Sequence, residues 1–188
     1  MKLLFHCCCA PCAAASVESL CGEGITPTLF WYNPNIHPST EYESRRDSLF
    51  AFAETGNLPL EKVDEYGLYP FLHSVGGEMA MGLRCCDCYY MRLARTAALA
   101  VELGFGAFST SLLISPYQDH DLIRGTGDDV AKQHGMDFMY RDFRPMFRES
   151  QNQARANGFY MQKYCGCIFS EADRYKDKGK VSKQWQIP

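Results

Sequence analysis

The sequence predicts one α/β domain, a mainly parallel sheet covered by helices on both faces. Three observations lead there. Short apolar runs of strand character alternate with helical segments almost throughout the chain, which is the pattern of βαβ units. The length of 188 residues suits one compact domain able to bury a core without disulfides. No internal repeat, low-complexity stretch or linker-like segment divides it. The domain is expected over residues 1–176, with 177–188 as a polar tail.

The elements follow in order. Residues 2–5 read as a buried strand that runs directly into Cys7, Cys8 and Cys9. Residues 13–20 read as a helix closed by Gly22 and Gly24. The β-branched and aromatic stretch 25–32 is a second strand. Pro34 and Pro38 stiffen the loop after it. Ser39 or Thr40 is expected to cap a helix running to Thr55 and stopping at Gly56. Residues 58–64 make a third strand, and the glycine-rich stretch 66–83 reads as irregular. Tyr90, Ala94, Ala97 and Val101 recur at helical spacing and predict a helix over 89–103. Residues 107–114 read as a strand, broken by Ser115-Pro116. Residues 120–134 read as a helix interrupted near Gly125 and Gly127, and 138–143 as a last strand. Helices are expected over 145–157 and 168–176. In such folds the working site lies beyond the carboxyl ends of the strands. That places the first cysteines there.

Composition narrows the function. A net charge of −3 gives no global electrostatic case for nucleic-acid binding, although it leaves room for a local patch. Ten cysteines are the anomaly. Residues 1–5 are too short for a signal-peptide core, and no run of about 18 apolar residues exists to span a membrane. The cysteines are also clustered, where a disulfide scaffold spreads them. The expectation is a cytoplasmic protein whose thiols serve as metal ligands or redox pairs.

Three constellations carry the chemistry. The first is His6-Cys7-Cys8-Cys9-Ala10-Pro11-Cys12 and the second Arg84-Cys85-Cys86-Asp87-Cys88. The C-x-x-C spacing of Cys85 and Cys88 serves zinc and iron–sulfur centres alike. The first constellation offers more thiols than a tetrahedral ion uses, and that excess favours a cluster. The third is Cys165-Gly166-Cys167. Two cysteines around one glycine close a strained, readily reduced disulfide, or serve as a ligand pair or two buried thiols. Other polar residues carry two readings each. His6 reads as a satisfied core histidine, and His37 as a loop residue that could as easily face solvent. Tyr160 and Tyr164 are proton donors or packing. Asp119, His120 and Asp121 line a site or form an acidic helix start. Arg45, Arg46, Arg141, Arg144 and Arg148 bind phosphate or are solvated. No P-loop or G-x-G-x-x-G supports nucleotide chemistry.

Taken together, LFHCCCAPC (4–12), RCCDCYYMRLARTAALA (84–100), STSLLISPYQDHDLI (109–123) and FYMQKYCGCIFS (159–170) resemble, in order, the epoxyqueuosine reductases of the QueH type. The resemblance covers residues 3–174. It implies a Rossmann-like layered sheet and a 4Fe–4S cluster held by Cys8, Cys9, Cys85 and Cys88, with Cys7 and Cys86 outside the motif. It further implies a redox-active disulfide of Cys165 and Cys167. It also allows an additional iron ion near the cluster, to which Cys12, one turn on, is assigned. The implied substrate is tRNA carrying epoxyqueuosine at the wobble position, reduced to queuosine with electrons from a donor that no motif names. The rival readings are a structural zinc protein that binds tRNA or another protein, and a general thiol–disulfide oxidoreductase.

Overall fold

The computed structural model describes residues 2–76 and 82–176. Five strands form one parallel sheet in the order β3-β2-β1-β4-β5. They are β1 (Leu3–His6), β2 (Thr28–Trp31), β3 (Leu60–Lys62), β4 (Ala107–Thr110) and β5 (Asp137–Phe138). Every residue of β1 and β4 is buried, as expected of central parallel strands covered on both sides. The chain leaves β1 toward β2 and β3, then returns to the other side of β1 as β4. Right-handed crossovers therefore put the two sets of helices on opposite faces. On one, α1 (Ala10–Gly22) packs on α2 (Ser39–Thr55) and α6 (Phe147–Ala156); on the other, α4 (Leu83–Glu102) packs on α5 (His120–His134). The sheet's order reverses between β1 and β4. A crevice opens at such a switch point beyond the strand ends. Cys7 to Cys9 leave β1 there, and the 3-10 turn Ser111–Ile114 leaves β4 there.

Several sequence-based expectations need correction. The first helix begins at Ala10, because an extended Cys9 stands at its cap and Pro11 is tolerated in the first turn. The stretch 66–83 is not wholly irregular: α3 (Leu68–Ser74) lies within it and buries Phe71. Residues 77–81 lie outside the described residues, as does the expected tail 177–188. The helix expected from 89 starts at Leu83, so the second cysteine constellation is itself helical. Its buried face is Tyr89, Leu93, Ala97 and Ala100, while Tyr90 and Val101 are 46% and 51% exposed. The apolar repeat Tyr90-Ala94-Ala97-Val101 is thus not the core-facing stripe. Neither Ser39 nor Thr40 caps α2, whose cap position is Pro38. The strand expected over 107–114 stops at Thr110, and the one expected over 138–143 is Asp137–Phe138. Helix α5 runs unbroken through Gly125 and Gly127. A Cβ on Gly127 would stand 2.3 Å from the Phe138 ring, so the glycine admits β5's side chain against the helix. After α6 the chain crosses the crevice to α7 (Ile168–Tyr175).

Candidate functional site

The turn after β1 builds the first part of the site. The Cys8, Cys9 and Cys12 sulfurs lie within 4.8 Å of one another, and all three residues are buried. Cys8 and Cys9 sulfurs are 3.8 Å apart. Ser111, at the end of β4, accepts from the Cys8 backbone N–H at 3.1 Å, and its hydroxyl lies 3.6 Å from the Cys8 sulfur. Hydrogen bonds from Cys12 and then Cys9, against the cost of burial, hold the Cys8 thiol well below its ordinary pKa. Burial pushes Cys9 up, and Cys12 rises through its contacts with Cys8 and Cys9 as well as burial. Cys7 turns away: its thiol donates to the Phe5 carbonyl at 3.3 Å in full burial. His6 is a satisfied core histidine, its ring held by Thr110 Oγ1 at 2.9 Å and the Tyr32 carbonyl at 3.2 Å.

Helix α4 carries the second part. Cys85, Cys88 and Arg92 recur at spacings of three and four, on one helix face. Cys88 is buried with Cys167, Phe71 and Val75. Burial raises its pKa to about 12 against the pull of Arg92. Among the described residues, no group of three ligand atoms as close as the first trio includes Cys85 or Cys88. Cys86 is half-buried and Cys21 exposed.

The segment between α6 and α7 carries the third part. Cys165 is exposed, and its sulfur lies 3.3 Å from Gln118 Nε2. Cys167 is buried and caps α7, its sulfur accepting from the Ser170 N–H at 3.3 Å. Gly166 between them has φ +141, a conformation reserved for glycine. A Cβ there would also press on Arg45 Nη1 at 3.2 Å and Ile36 at 3.3 Å.

Arg45 is buried and anchors the third part to α2. It pairs with Glu41 at 2.6 Å and donates to the Cys165 and Tyr164 carbonyls at 2.8 and 3.0 Å. Tyr160 donates to the same Glu41, and Tyr164 to the His37 carbonyl at 2.6 Å. Cys8, Cys12, Gln118, Gln162, Tyr164 and Cys165 line one cleft of about 650 Å³. Gln162 donates to the Cys12 sulfur at 3.2 Å, and its Oε1 is buried without a partner. Tyr117 and Phe147 stand edge to face at the cleft, with Lys163 and Arg174 also lining it.

The remaining sequence candidates take structural places. Asp119 caps α5, accepting from the Leu122 N–H at 3.0 Å, and His120 is held by the Ser115 carbonyl. Arg46, Arg141 and Arg144 pair with surface carboxylates, and Arg148 is exposed. His37 does not face solvent. Its ring is fully buried against Tyr66 and Phe71, with neither nitrogen hydrogen-bonded, and burial lowers its pKa to about 4.

The family model described as Epoxyqueuosine reductase QueH matches residues 3–173. The chain belongs to the epoxyqueuosine reductase QueH family. Relatives bearing that name include one from Dehalococcoides mccartyi, 36% identical over 93% of this chain and 94% of that protein. One from Acinetobacter baylyi is 38% identical over 92% and 81%, and one from Thermotoga maritima 30% identical over 97% and 96%. A solved structure described as a predicted tRNA methyltransferase subunit from Methanocaldococcus jannaschii superposes at TM-score 0.53 with 11% identity, covering 95% of this chain and 89% of that one. That likeness concerns the fold alone.

The donor set of this QueH-family chain fits an iron–sulfur centre. Soft, buried thiols select clusters, zinc or copper(I) over harder ions, and the buried Arg92 places a positive charge against the Cys88 sulfur. Sequence reasoning passed over Arg92, Gln118, Gln162 and Ser111. All four lie inside the segments that carry the family resemblance, and Arg92 has a further signal, its spacing of four from Cys88 on a helix.

Proposed function

We propose that this chain reduces epoxyqueuosine in tRNA to queuosine, with a 4Fe–4S cluster held by Cys8, Cys9, Cys85 and Cys88 and an additional iron assisted by Cys12. The observation that carries the reading is the shared cleft: thiols from the first and third constellations line one cavity of nucleoside size. When bound, the cluster supplies electrons one at a time and the additional iron a Lewis acid.

The chain's own residues account for the rest. Removing the epoxide oxygen takes two electrons and two protons, and leaves an alkene and water. The dithiol of Cys165 and Cys167 balances that step by closing to a disulfide, which the external donor then reopens. Cys165 is exposed where a donor or substrate can reach it, while Cys167 is held at the start of α7. Gln162 Oε1, buried and unpartnered, offers an acceptor to a substrate hydroxyl or amine. Tyr117 and Phe147 offer aromatic surface to an unstacked base, and Lys163 and Arg174 offer charge to its phosphates.

The test is anaerobic reconstitution followed by incubation with tRNA carrying epoxyqueuosine and a strong reductant. The expected product, read by nucleoside mass spectrometry, lacks one oxygen atom. The expected metal content is about four irons and four sulfides per chain beyond any additional iron. Unchanged tRNA, or a colourless protein with stoichiometric zinc, would overturn the proposal.

A further inference from the structure

We propose that Arg92 is the buried counter-ion of the sulfur centre, a positioning residue that sets the centre's reduction potential. Its side chain is held in a fully enclosed place: the residue is 1% exposed. Nε donates to the Cys88 carbonyl at 3.0 Å and Nη2 to the Cys88 sulfur at 3.2 Å. The guanidinium also lies 5.7 Å from the Tyr89 ring centre. Among the described residues, no carboxylate comes within 4 Å of it.

That absence of a carboxylate is the informative feature. The other buried arginines have one: Arg45 pairs with Glu41 and Arg84 with Asp173. A guanidinium cannot shed its charge in a protein, and a buried charge without a counter-charge is strongly unfavourable. The anion-capable groups whose charge acts on Arg92 are Cys88, Cys165, Cys8 and Tyr89. Burial holds the Tyr89 phenol well above its ordinary pKa and so uncharged, which leaves the sulfurs to carry the counter-charge. A cluster held by four thiolates is negative, and a reduced one more so. A fixed cation hydrogen-bonded to a ligand sulfur favours the added electron, because net charge and hydrogen bonds to sulfur set cluster potentials.

This inference rests on the iron–sulfur reading proposed above. The experiment compares wild type, R92K and R92M, the last close in shape but uncharged. Iron and sulfide content is measured first, then the cluster's midpoint potential by titration with dithionite and mediators, then the melting temperature of the metal-free chains. R92M is expected to hold its cluster but to be harder to reduce. At the wild-type midpoint its reduced-to-oxidised ratio should fall at least tenfold, a shift of about 59 mV for one electron. R92K should shift by less than half as much. Metal-free R92M should melt at or above metal-free wild type, because it no longer buries an uncompensated charge. A cluster kept by R92K and lost by R92M would support the proposal equally. An R92M ratio within twofold of wild type would overturn it, as would loss of the cluster in both variants, or a metal-free R92M that melts lower. Wild type without a cluster would overturn the reading beneath it as well.

Discussion

Ten thiols in one chain divide by their surroundings. Cys7 is spent on a backbone carbonyl, Cys21 is exposed on α1, and Cys86 sits beside the Cys85–Cys88 face of α4. Serine at any of these three is expected to leave the brown absorbance of reconstituted protein intact. Serine at Cys8, Cys9, Cys85 or Cys88 should abolish it, and full iron retention in Cys85→Ser would remove α4 from the ligand set. The C-x-C pair separates relay from ligation. A Cys165→Ser/Cys167→Ser variant should keep its cluster spectrum and lose multiple turnover, measured on tRNA in the same sample. Gly166→Val should cost about 1–3 kcal/mol in strain and slow turnover roughly ten- to a hundred-fold by displacing the pair; both are read by thermal melting and steady-state kinetics. The special role of Gly166 was legible in the sequence, although its tight packing against Arg45 was not. Arg45, read from the sequence as a phosphate binder or a solvated cation, is a buried clamp on the Cys165 carbonyl. Residue type alone does not reveal which cations a fold encloses.

Elements were legible wherever local chemistry decides them, as at α2, closed by Gly56, and at α7. They were not where tertiary contacts decide. Helix α4 extends through six further residues, 83–88, with no apolar repeat because Cys88 and Arg84 are buried there by contacts from α7 and α3. Its core stripe was misplaced because Thr96 and Arg92, polar by composition, occupy buried positions. The loop after β2 holds a similar surprise in His37. Its folded pKa is about 4 against an ordinary 6.5, so the unfolded chain takes up a proton that the folded chain refuses. Stability is therefore complete above about pH 6.5 and lost as pH falls toward 4, at about 1.4 kcal/mol per pH unit per proton. His6, lowered by burial to about 4 as well, adds in the same direction. Urea unfolding at pH 7 and pH 5 should show the loss. His37→Phe, which also removes two unpaired buried nitrogens, should show a shallower one. An unchanged slope would mean that the buried ring titrates normally.

At the scale of the molecule, the parallel sheet and the position of the site followed from the alternation of elements, because a turn after the first strand must open at the strand ends. What the alternation could not give was the order β3-β2-β1-β4-β5, since it depends on which edge each crossover joins. Nor could it show that the segment after α6 returns to cover the crevice and bring Cys165 into the same cleft as Cys8. That return also gathers charge. The whole chain is acidic, yet Lys163 and Arg174 line the cleft, so attraction for a polyanion is local. Tyr117 is 85% exposed at the same cleft, its ring edge to face against Phe147. If these residues grip a splayed anticodon nucleotide, their losses should differ in kind. Lys163→Ala and Arg174→Ala should raise KM for tRNA with little change in kcat. Each should also flatten the dependence of log kcat/KM on log salt by about 0.7, the value for a single-stranded phosphate contact. Tyr117→Ala should lower kcat/KM by the worth of one stacked base, about 1–3 kcal/mol, with the salt slope unchanged. Iron content should stay at the wild-type level in all three, since none of these side chains is a thiol ligand or its hydrogen-bond partner. A Tyr117 variant with wild-type kcat/KM would place the base against another wall of the cleft, and an unchanged salt slope in both cation variants would place the phosphates elsewhere.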